Sequence, residues 1–310
     1  MQEKTFEKQI EKAQKEIKNN YEWLTNYYDK QFNIILDNRT VLDKFYKVAK
    51  EYESLQYYIV EVQTSAPNLF VIEIRYKGQA IASATLTKDG KILITTEKYN
   101  ESNNKEYGCD IQLKDEEWSN IQTAKFFNYF NKDMTRKTKG NENQRIESAL
   151  LAEFQKTSSY DKILTGIQPI KISNLFYPIP TILNPNTKNA DTINVLARTR
   201  VRKITIAELM GDAHDQDTTL LKATEKAVLL TQLLHSKHGD RFYKLLGFHG
   251  RIPTQLTIKV CIVASKKLST KCKEFKPYQL KCGIDTLDYR FMYYEEDNNK
   301  ITSIKTNVNE

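Results

Sequence analysis

The chain has 310 residues, of which 40% are hydrophobic and 28% are charged. This composition is typical of globular domains and excludes a disordered chain. No apolar run approaches the ~18 residues of a transmembrane helix, and the charged amino terminus lacks the apolar core of a signal peptide, so we expect a cytoplasmic protein without a membrane partner. A formal net charge of +8 favours polyanionic partners such as nucleic acid.

The first third of the chain predicts helices followed by an antiparallel sheet. Apolar residues recur at helical spacing in residues 1–35 and 41–57. After residue 58 the period changes to two, as in β-strands joined by short turns. Four segments show this pattern: residues 58–63, 69–76, 80–86 and 92–96. An aromatic-rich helix is predicted at residues 116–130, where the rings could stack on bases but where their helical spacing favours a core role.

A domain boundary is predicted near residue 140. Residues 131–144 are polar, have no apolar period and contain a glycine, as a linker does. The sequence therefore predicts an α+β domain over residues 1–140 and a second domain over residues 141–310. The role of the first domain is not predicted.

Residues 191–210 have the pattern of a β-hairpin with a basic turn. Apolar residues alternate in residues 193–197 and again from Ile204 onward. The side chains of Glu208 and Met210 point to the same face, because residues two apart on a strand do so. A helix is predicted at residues 218–235, and a buried parallel strand at residues 255–264.

This order of elements, with a helix at residues 145–154 before it, resembles the PD-(D/E)XK nuclease superfamily, whose fold is restriction-endonuclease-like. The resemblance covers about residues 145–265. It is carried by Ile-Asn-Val-Leu-Ala-Arg at residues 193–198 and Ala-Glu-Leu-Met at residues 207–210. The resemblance implies that the second domain is an α/β domain in which helices flank a mixed sheet.

The resemblance also implies a site in which an Asp and a Glu bind Mg²⁺ and a Lys stabilises charge on the phosphate. Glu208 matches the family Glu, whereas Asn194 stands at the Asp position and Met210 at the Lys position. Any metal ion would be held by Glu208 and Asn194. An amide brings no negative charge and a thioether brings no positive charge, so both substitutions weaken the implied chemistry. Glu147, on the preceding helix, is expected to face the site.

Three nearby residues are candidates to repair such a site. Lys222 or Lys226, on the helix at residues 218–235, could supply the missing cation, and we include Lys222 in the candidate catalytic set. Lysines on polar helix faces are more often solvated, and this is the favoured interpretation for both residues. Asp191 could supply the missing acid, but it lies three residues from Asn194 and would need a bulge to reach the same face.

Basic residues predict where nucleic acid would bind, and a solvated basic face is the alternative. The candidates lie in the hairpin turn and in a lysine-rich segment: Arg198, Arg200, Arg202, Lys203, Lys266, Lys267, Lys271 and Lys273. DNA is favoured over RNA, and a homodimer is compatible with the sequence.

The sequence thus favours a nuclease-superfamily protein that has lost or weakened metal-dependent phosphodiester hydrolysis and acts by binding nucleic acid or a protein partner. Whether it is an enzyme stays open. One alternative is an active Mg²⁺-dependent DNA endonuclease with a relocated lysine and a rebuilt acidic site. A second is a non-enzymatic adaptor. Asn194 or Met210 could also have been engineered to trap a complex.

Other site types lack support. The four cysteines show no CxxC spacing, and the sequence contains no GxGxxG, Walker A, GxSxG or HExxH motif. His235 and His238 lie three apart on a predicted helix, which is a possible metal-binding spacing. A helix end with solvated or capping imidazoles is the simpler interpretation.

Overall fold

The protein is described from a computed structural model. The residues that the structure describes are 2–49, 55–63, 67–76, 79–96, 111–113, 146–147, 167–169, 179–188, 191–193, 195–199, 204–211, 215–245, 250–268, 278–297 and 300–305. The predicted aromatic helix at 116–130 and the predicted linker at 131–144 lie outside these ranges. Of the predicted helix at 145–154, only residues 146–147 are described, and both are helical.

The chain forms two compact units of the α+β class. The mixed-sheet unit comprises Met1–Asp29, Ala149–Ile170 and Ile179–Glu310, and the antiparallel-sheet unit comprises Lys30–Ser148 and Lys171–Pro178. The division differs from a single boundary near residue 140. The reason is that the first helix packs against a helix of the mixed-sheet unit, more than 150 residues further along the chain.

Three helices open the chain: α1 (Gln2–Asn19), α2 (Tyr21–Asp37) and α3 (Arg39–Ala49). The α1 helix buries Phe6, Ile10, Ala13 and Ile17, the apolar stripe that its helical spacing predicts. The prediction of a helix up to residue 57 is wrong. Tyr57 lies in the first strand, because the aromatic and β-branched residues around it pair with the following strand.

The antiparallel-sheet unit contains a five-stranded meander in chain order. Its strands are β1 (Leu55–Val62), β2 (Asn68–Tyr76), β3 (Gln79–Thr87), β4 (Ile92–Thr96) and β5 (Ile111–Leu113). The four predicted strands are confirmed, and β5 is an addition to them. Alternate residues of β2, β3 and β4, among them Ile72, Ala84 and Ile94, are fully buried on one face. Gly90 provides the positive φ of the β3–β4 turn.

The mixed-sheet unit contains a seven-stranded sheet. Its strands are β6 (Ile167–Pro169), β9 (Val195–Thr199), β10 (Ile204–Met210), β11 (Thr257–Ser265), β12 (Tyr278–Cys282), β13 (Asp285–Asp297) and β14 (Lys300–Lys305). The order is β12-β13-β11-β10-β9-β6, and β14 also pairs with β13. The strands β10, β11 and β13 are parallel, and the other pairings are antiparallel. A separate two-stranded ladder joins β7 (Ile179–Pro180) to β8 (Thr192–Ile193).

The crossover from β10 to β11 contains α4 (Gln216–Leu234) and α5 (Gly239–Leu245). Asp215 caps α4, since its carboxylate accepts from the backbone N–H of Thr218 at 2.8 Å. The α4 helix packs on β10, β11 and α1. The predicted hairpin, helix and buried parallel strand are confirmed, whereas β12 was not predicted. None of the helices in the described ranges is both long and apolar enough to cross a membrane.

Candidate active site

A buried lysine on α4 connects two carboxylates that are distant in sequence. The side chain of Lys226 is 2% exposed, and its Nζ lies 2.6 Å from Oε2 of Glu208 and 3.2 Å from Oδ2 of Asp191. Both carboxylates have access to water, since Glu208 is 16% exposed and Asp191 is 48% exposed. A buried ammonium is stable only when anions compensate the loss of water, and these two carboxylates do so.

Glu208 is held by the centre of the mixed sheet. It lies on β10 between two paired strands, and its backbone is in register with Ile262 of β11. Ala207, immediately before it, is in register with Val195 of β9. A side chain on a strand that is paired on both sides has little positional freedom, so the Glu208 carboxylate is presented from a rigid support.

Asp191 is positioned by the β7–β8 ladder. Its Oδ1 accepts from the backbone N–H of Thr192 at 2.8 Å, and its carbonyl accepts from the N–H of Thr181 at 2.6 Å. Tyr28 of α2 supports this ladder, because its hydroxyl accepts from the N–H of Ile182 at 3.0 Å and donates to the carbonyl of Pro180. The Oδ2 atom of Asp191 is thereby directed to Lys226.

The prediction that Asp191 points away from the site assumed one continuous strand. The chain instead changes partners: β8 pairs with β7 and ends at Ile193, and β9 begins at Val195 and pairs with β10. Simple alternation therefore does not extend from one segment into the other. Asn194, between them, lies outside the described residues.

The carboxylate of Glu225 adds a negative charge near Asp191. Gln9 of α1 donates to the carboxylate of Glu225, the residue before Lys226. Burial raises the pKa of Glu225, Lys12 opposes this increase, and the charges of Glu16 and Asp191 add to it. The surroundings of Asp191 are thus more negative than the contact with a single lysine would suggest.

Three of the other predicted catalytic residues lie within the described ranges. Lys222 is exposed on α4. Met210 is buried at the end of β10. Glu147 is partly exposed and belongs to the antiparallel-sheet unit, where it interacts electrostatically with Arg75.

Lys226 was expected to be solvated, and this expectation is wrong. One signal in the sequence pointed to its burial: it lies three residues after Ala223 and four before Leu230, both of which are fully buried. Residues at these spacings share one face of a helix, so Lys226 falls within the apolar face of α4.

The predicted basic contacts fall mostly outside the described residues. This applies to Arg200, Arg202, Lys203, Lys271 and Lys273, and to the side chain of Arg198. Two of the lysines are described, and both are exposed. Lys266 forms an ion pair with Glu295. Lys266 and Lys267 are the first two residues of a short 3₁₀ helix, Lys266–Leu268.

The two spaced histidines contact different acids. His235 Nε2 lies 2.8 Å from an oxygen of Asp285, and His238 Nδ1 lies 3.2 Å from an oxygen of Asp29. Asp285 is 2% exposed and also accepts from the backbone N–H of Leu256 at 2.7 Å. These contacts connect helix ends to neighbouring elements. Across the described ranges, no three or more His, Cys, Asp or Glu side chains are grouped as metal ligands.

No family model, curated protein or solved structure matches this chain. The function must therefore be argued from the site itself. Asp191, Glu208 and Lys226, which we call the DEK cluster, combine two accessible carboxylates with one shielded ammonium. Carboxylates can bind a hard cation or accept a proton, and an ammonium can neutralise an anionic substrate.

Proposed function

We propose that the mixed-sheet unit is a PD-(D/E)XK-like domain whose DEK cluster hydrolyses phosphodiester bonds in nucleic acid with the help of Mg²⁺. The observation that carries this proposal is the contact of Lys226 with both Asp191 and Glu208. The sequence alone favours a weakened enzyme, since Asn194 and Met210 lack the charges of the family residues. The DEK cluster combines Glu208 with an acid and a cation that can replace the charges missing at those two positions, so an active enzyme is the better supported alternative.

The order of the strands supports the same proposal. The strands β6, β9 and β10 form an antiparallel meander, α4 follows, and β11 returns parallel to β10. The β9–β10 hairpin, α4 and β11 correspond to the hairpin, helix and buried strand on which the resemblance rests. Glu208 lies on the second strand of that hairpin, and the helix that follows supplies the lysine.

The donor set suits a magnesium ion. Mg²⁺ retains several water molecules and is usually held by one or two carboxylates together with substrate phosphate, so it does not need a cage of three or more protein ligands. Asp191 and Glu208 would hold it. A bound Mg²⁺ ion would polarise the phosphoryl oxygen and lower the pKa of a coordinated water molecule.

The residues of the chain contribute binding and charge compensation. The half-exposed Asp191 marks the side from which substrate and solvent reach the cluster. The ammonium of Lys226 can donate hydrogen bonds to a non-bridging phosphate oxygen, and it thereby neutralises the charge that develops as water attacks phosphorus. This is the role that the family lysine has on the strand, here supplied from a helix.

A cleavage assay tests the proposal. The full chain is incubated with labelled double-stranded DNA, single-stranded DNA or RNA, with Mg²⁺ or with a chelator. We expect Mg²⁺-dependent cleavage of at least one substrate, favouring DNA, and a loss of about 10²-fold or more in Asp191→Asn, Glu208→Gln and Lys226→Gln, because each substitution removes a group acting on the transition state.

Matched controls come from α5, which carries exposed residues of both charges. Asp240→Asn and Lys244→Gln remove one charge of each sign outside the DEK cluster and should leave cleavage within about twofold of the parent protein. Equal activity of the cluster variants and these controls would contradict the proposal. If the parent protein shifts labelled DNA at low salt but does not cleave it, the binding role favoured by the sequence replaces the hydrolytic one.

A further inference from the structure

We propose that Lys226 is an internal counter-ion that occupies the two carboxylates until substrate arrives, so that binding of the divalent ion is coupled to binding of nucleic acid. This inference deepens the proposed function and rests on the DEK cluster as its site. It concerns which cation occupies the two carboxylates before substrate binds and what allows a metal ion to replace it.

The first step is the position of the ammonium. Its nitrogen lies within hydrogen-bonding distance of both Glu208 and Asp191, and only 2% of the side chain is exposed. A metal ion held by the same two carboxylates would use the oxygens with which Lys226 now forms ion pairs. The lysine and the metal ion therefore compete for one pair of ligands.

The second step is the repulsion between the two cations. A dication on these oxygens would stand only a few ångströms from the ammonium, in a site partly shielded from water, where charges interact strongly. The ammonium can avoid the repulsion by moving, since it is carried on a flexible four-carbon stem. Glu208 cannot follow it, because β10 is paired on both sides.

The third step is the fate of the displaced ammonium. A buried cation that leaves its carboxylates needs a new anion, since water is largely excluded around it. A phosphate group of the substrate supplies that anion. Substrate binding thus makes the exchange of lysine for metal favourable, and by reciprocity bound metal favours substrate. The charge of Glu225, which interacts with that of Asp191, adds to the attraction for the incoming dication.

Binding of Mn²⁺ to the full chain, measured by titration calorimetry and by electron paramagnetic resonance, tests this inference. The probe anion is a short phosphorothioate DNA, which resists hydrolysis. We expect Lys226→Met and Lys226→Gln to bind Mn²⁺ at least about tenfold more tightly than the parent protein, because the competing cation is gone. The DNA should tighten Mn²⁺ binding to the parent protein by a clearly larger factor than to either variant, because its phosphate can coordinate the ion in all three proteins but compensates a displaced ammonium only in the parent protein.

Two further proteins complete the design. Lys244→Met removes an exposed lysine of α5 and should bind Mn²⁺ as the parent protein does. Adding Glu208→Gln to Lys226→Met should remove the gained affinity, which locates it at the cluster. Circular dichroism establishes that each variant is folded, and the polar Lys226→Gln serves if the apolar replacement unfolds.

The inference is overturned if both neutral variants bind Mn²⁺ no more tightly than the parent protein, or if the DNA tightens Mn²⁺ binding equally in all of them. These outcomes are separable from the test of cleavage. Cleavage by the parent protein without a gain of affinity in the variants overturns the counter-ion role alone. A gain of affinity without cleavage supports the exchange of cations and removes the hydrolytic proposal.

Discussion

Lys226 and Arg75 are both largely buried cations, and they are partnered in different ways. Arg75, on β2 of the antiparallel-sheet unit, has a side chain that is 14% exposed and makes two hydrogen bonds, of 2.9 and 3.0 Å, with the carboxylate of Glu73. The two residues share one strand face because they lie two apart. The guanidinium also lies 4.4 Å from the centre of the Tyr58 ring.

The two arrangements differ in how completely the cation is paired and in whether a ligand can reach its partners. Arg75 is matched bidentately by a neighbouring carboxylate and covered by an aromatic ring, a geometry in which the planar guanidinium is well satisfied. Lys226 is a point charge between two carboxylates from distant parts of the chain, and one of them, Asp191, is half exposed. The hydrogen bonds and the ring contact of the first arrangement come from one strand pair, and Glu147 adds a further electrostatic interaction. The second has more negative than positive charge and is open to a ligand, as a binding site requires.

The largest difference in stability should come from deleting the main acid partner in each cluster. Glu208→Ala should lower the free energy of unfolding of the mixed-sheet unit by about 3 kcal/mol, because it leaves a buried ammonium with a single, more distant partner. Glu73→Ala should cost about 1–2 kcal/mol, because Arg75 keeps the Tyr58 ring and is more exposed.

Hydrogen exchange of backbone amides in β10 and in β2 reports on the two units separately, and it is combined with denaturant unfolding. If Glu208→Ala lowers the free energy of unfolding by less than Glu73→Ala does, the ammonium of Lys226 is better solvated than its contacts indicate.

Much of the fold can be predicted from the spacing of apolar residues along the sequence. Period-two alternation locates β2 to β4, and the continuous apolar run of β11 predicts a parallel strand buried on both faces, as observed. The sequence predicts a helix up to residue 57 because Tyr52 continues the apolar spacing of the residues before it. Periodicity alone does not distinguish a helix from the approach to an aromatic strand.

The candidate site was only partly predictable, since it depends on contacts between distant segments. Glu208 was selected from its strand context. Lys226 was considered but assigned to solvent, because a lysine in a helix is usually exposed and its burial depends on carboxylates that helical spacing does not reveal. Asp191 was assigned to the wrong face because the change of pairing partner between β8 and β9 leaves no mark in the alternation of residues.

A smaller effect should follow from removing the ring that covers Arg75. Tyr58→Leu keeps an apolar side chain at this buried position but loses the interaction with the guanidinium, so it should be less stable than Tyr58→Phe by about 1 kcal/mol. The phenylalanine variant is the matched control because it retains the ring. Equal stabilities, measured by hydrogen exchange in β2, would show that the 4.4 Å approach contributes only packing.

The smallest effect concerns Glu225, and it depends on pH. Burial raises the pKa of this carboxyl group in the folded protein above its ordinary value of 4.5. A raised pKa means that the folded state binds the proton of Glu225 more tightly than the unfolded state does. The contribution of this group to the free energy of unfolding is therefore greatest at low pH and is lost as pH rises through the folded pKa. Glu225→Gln has no charge to lose and can still accept from Gln9, so it should be more stable than the parent protein at pH 7.

The gain should stay below about 1 kcal/mol, because Glu225 is only partly buried and solvent screens it. Free energies of unfolding measured from pH 4 to pH 8 should therefore converge at the acidic end and separate as pH rises. A constant difference across this range would show that the carboxylate is stabilised by a cation as strongly as burial opposes it. In that case the acidic surroundings inferred for Asp191 would be balanced, and the attraction of a dication to the DEK cluster would rest on Asp191 and Glu208 alone.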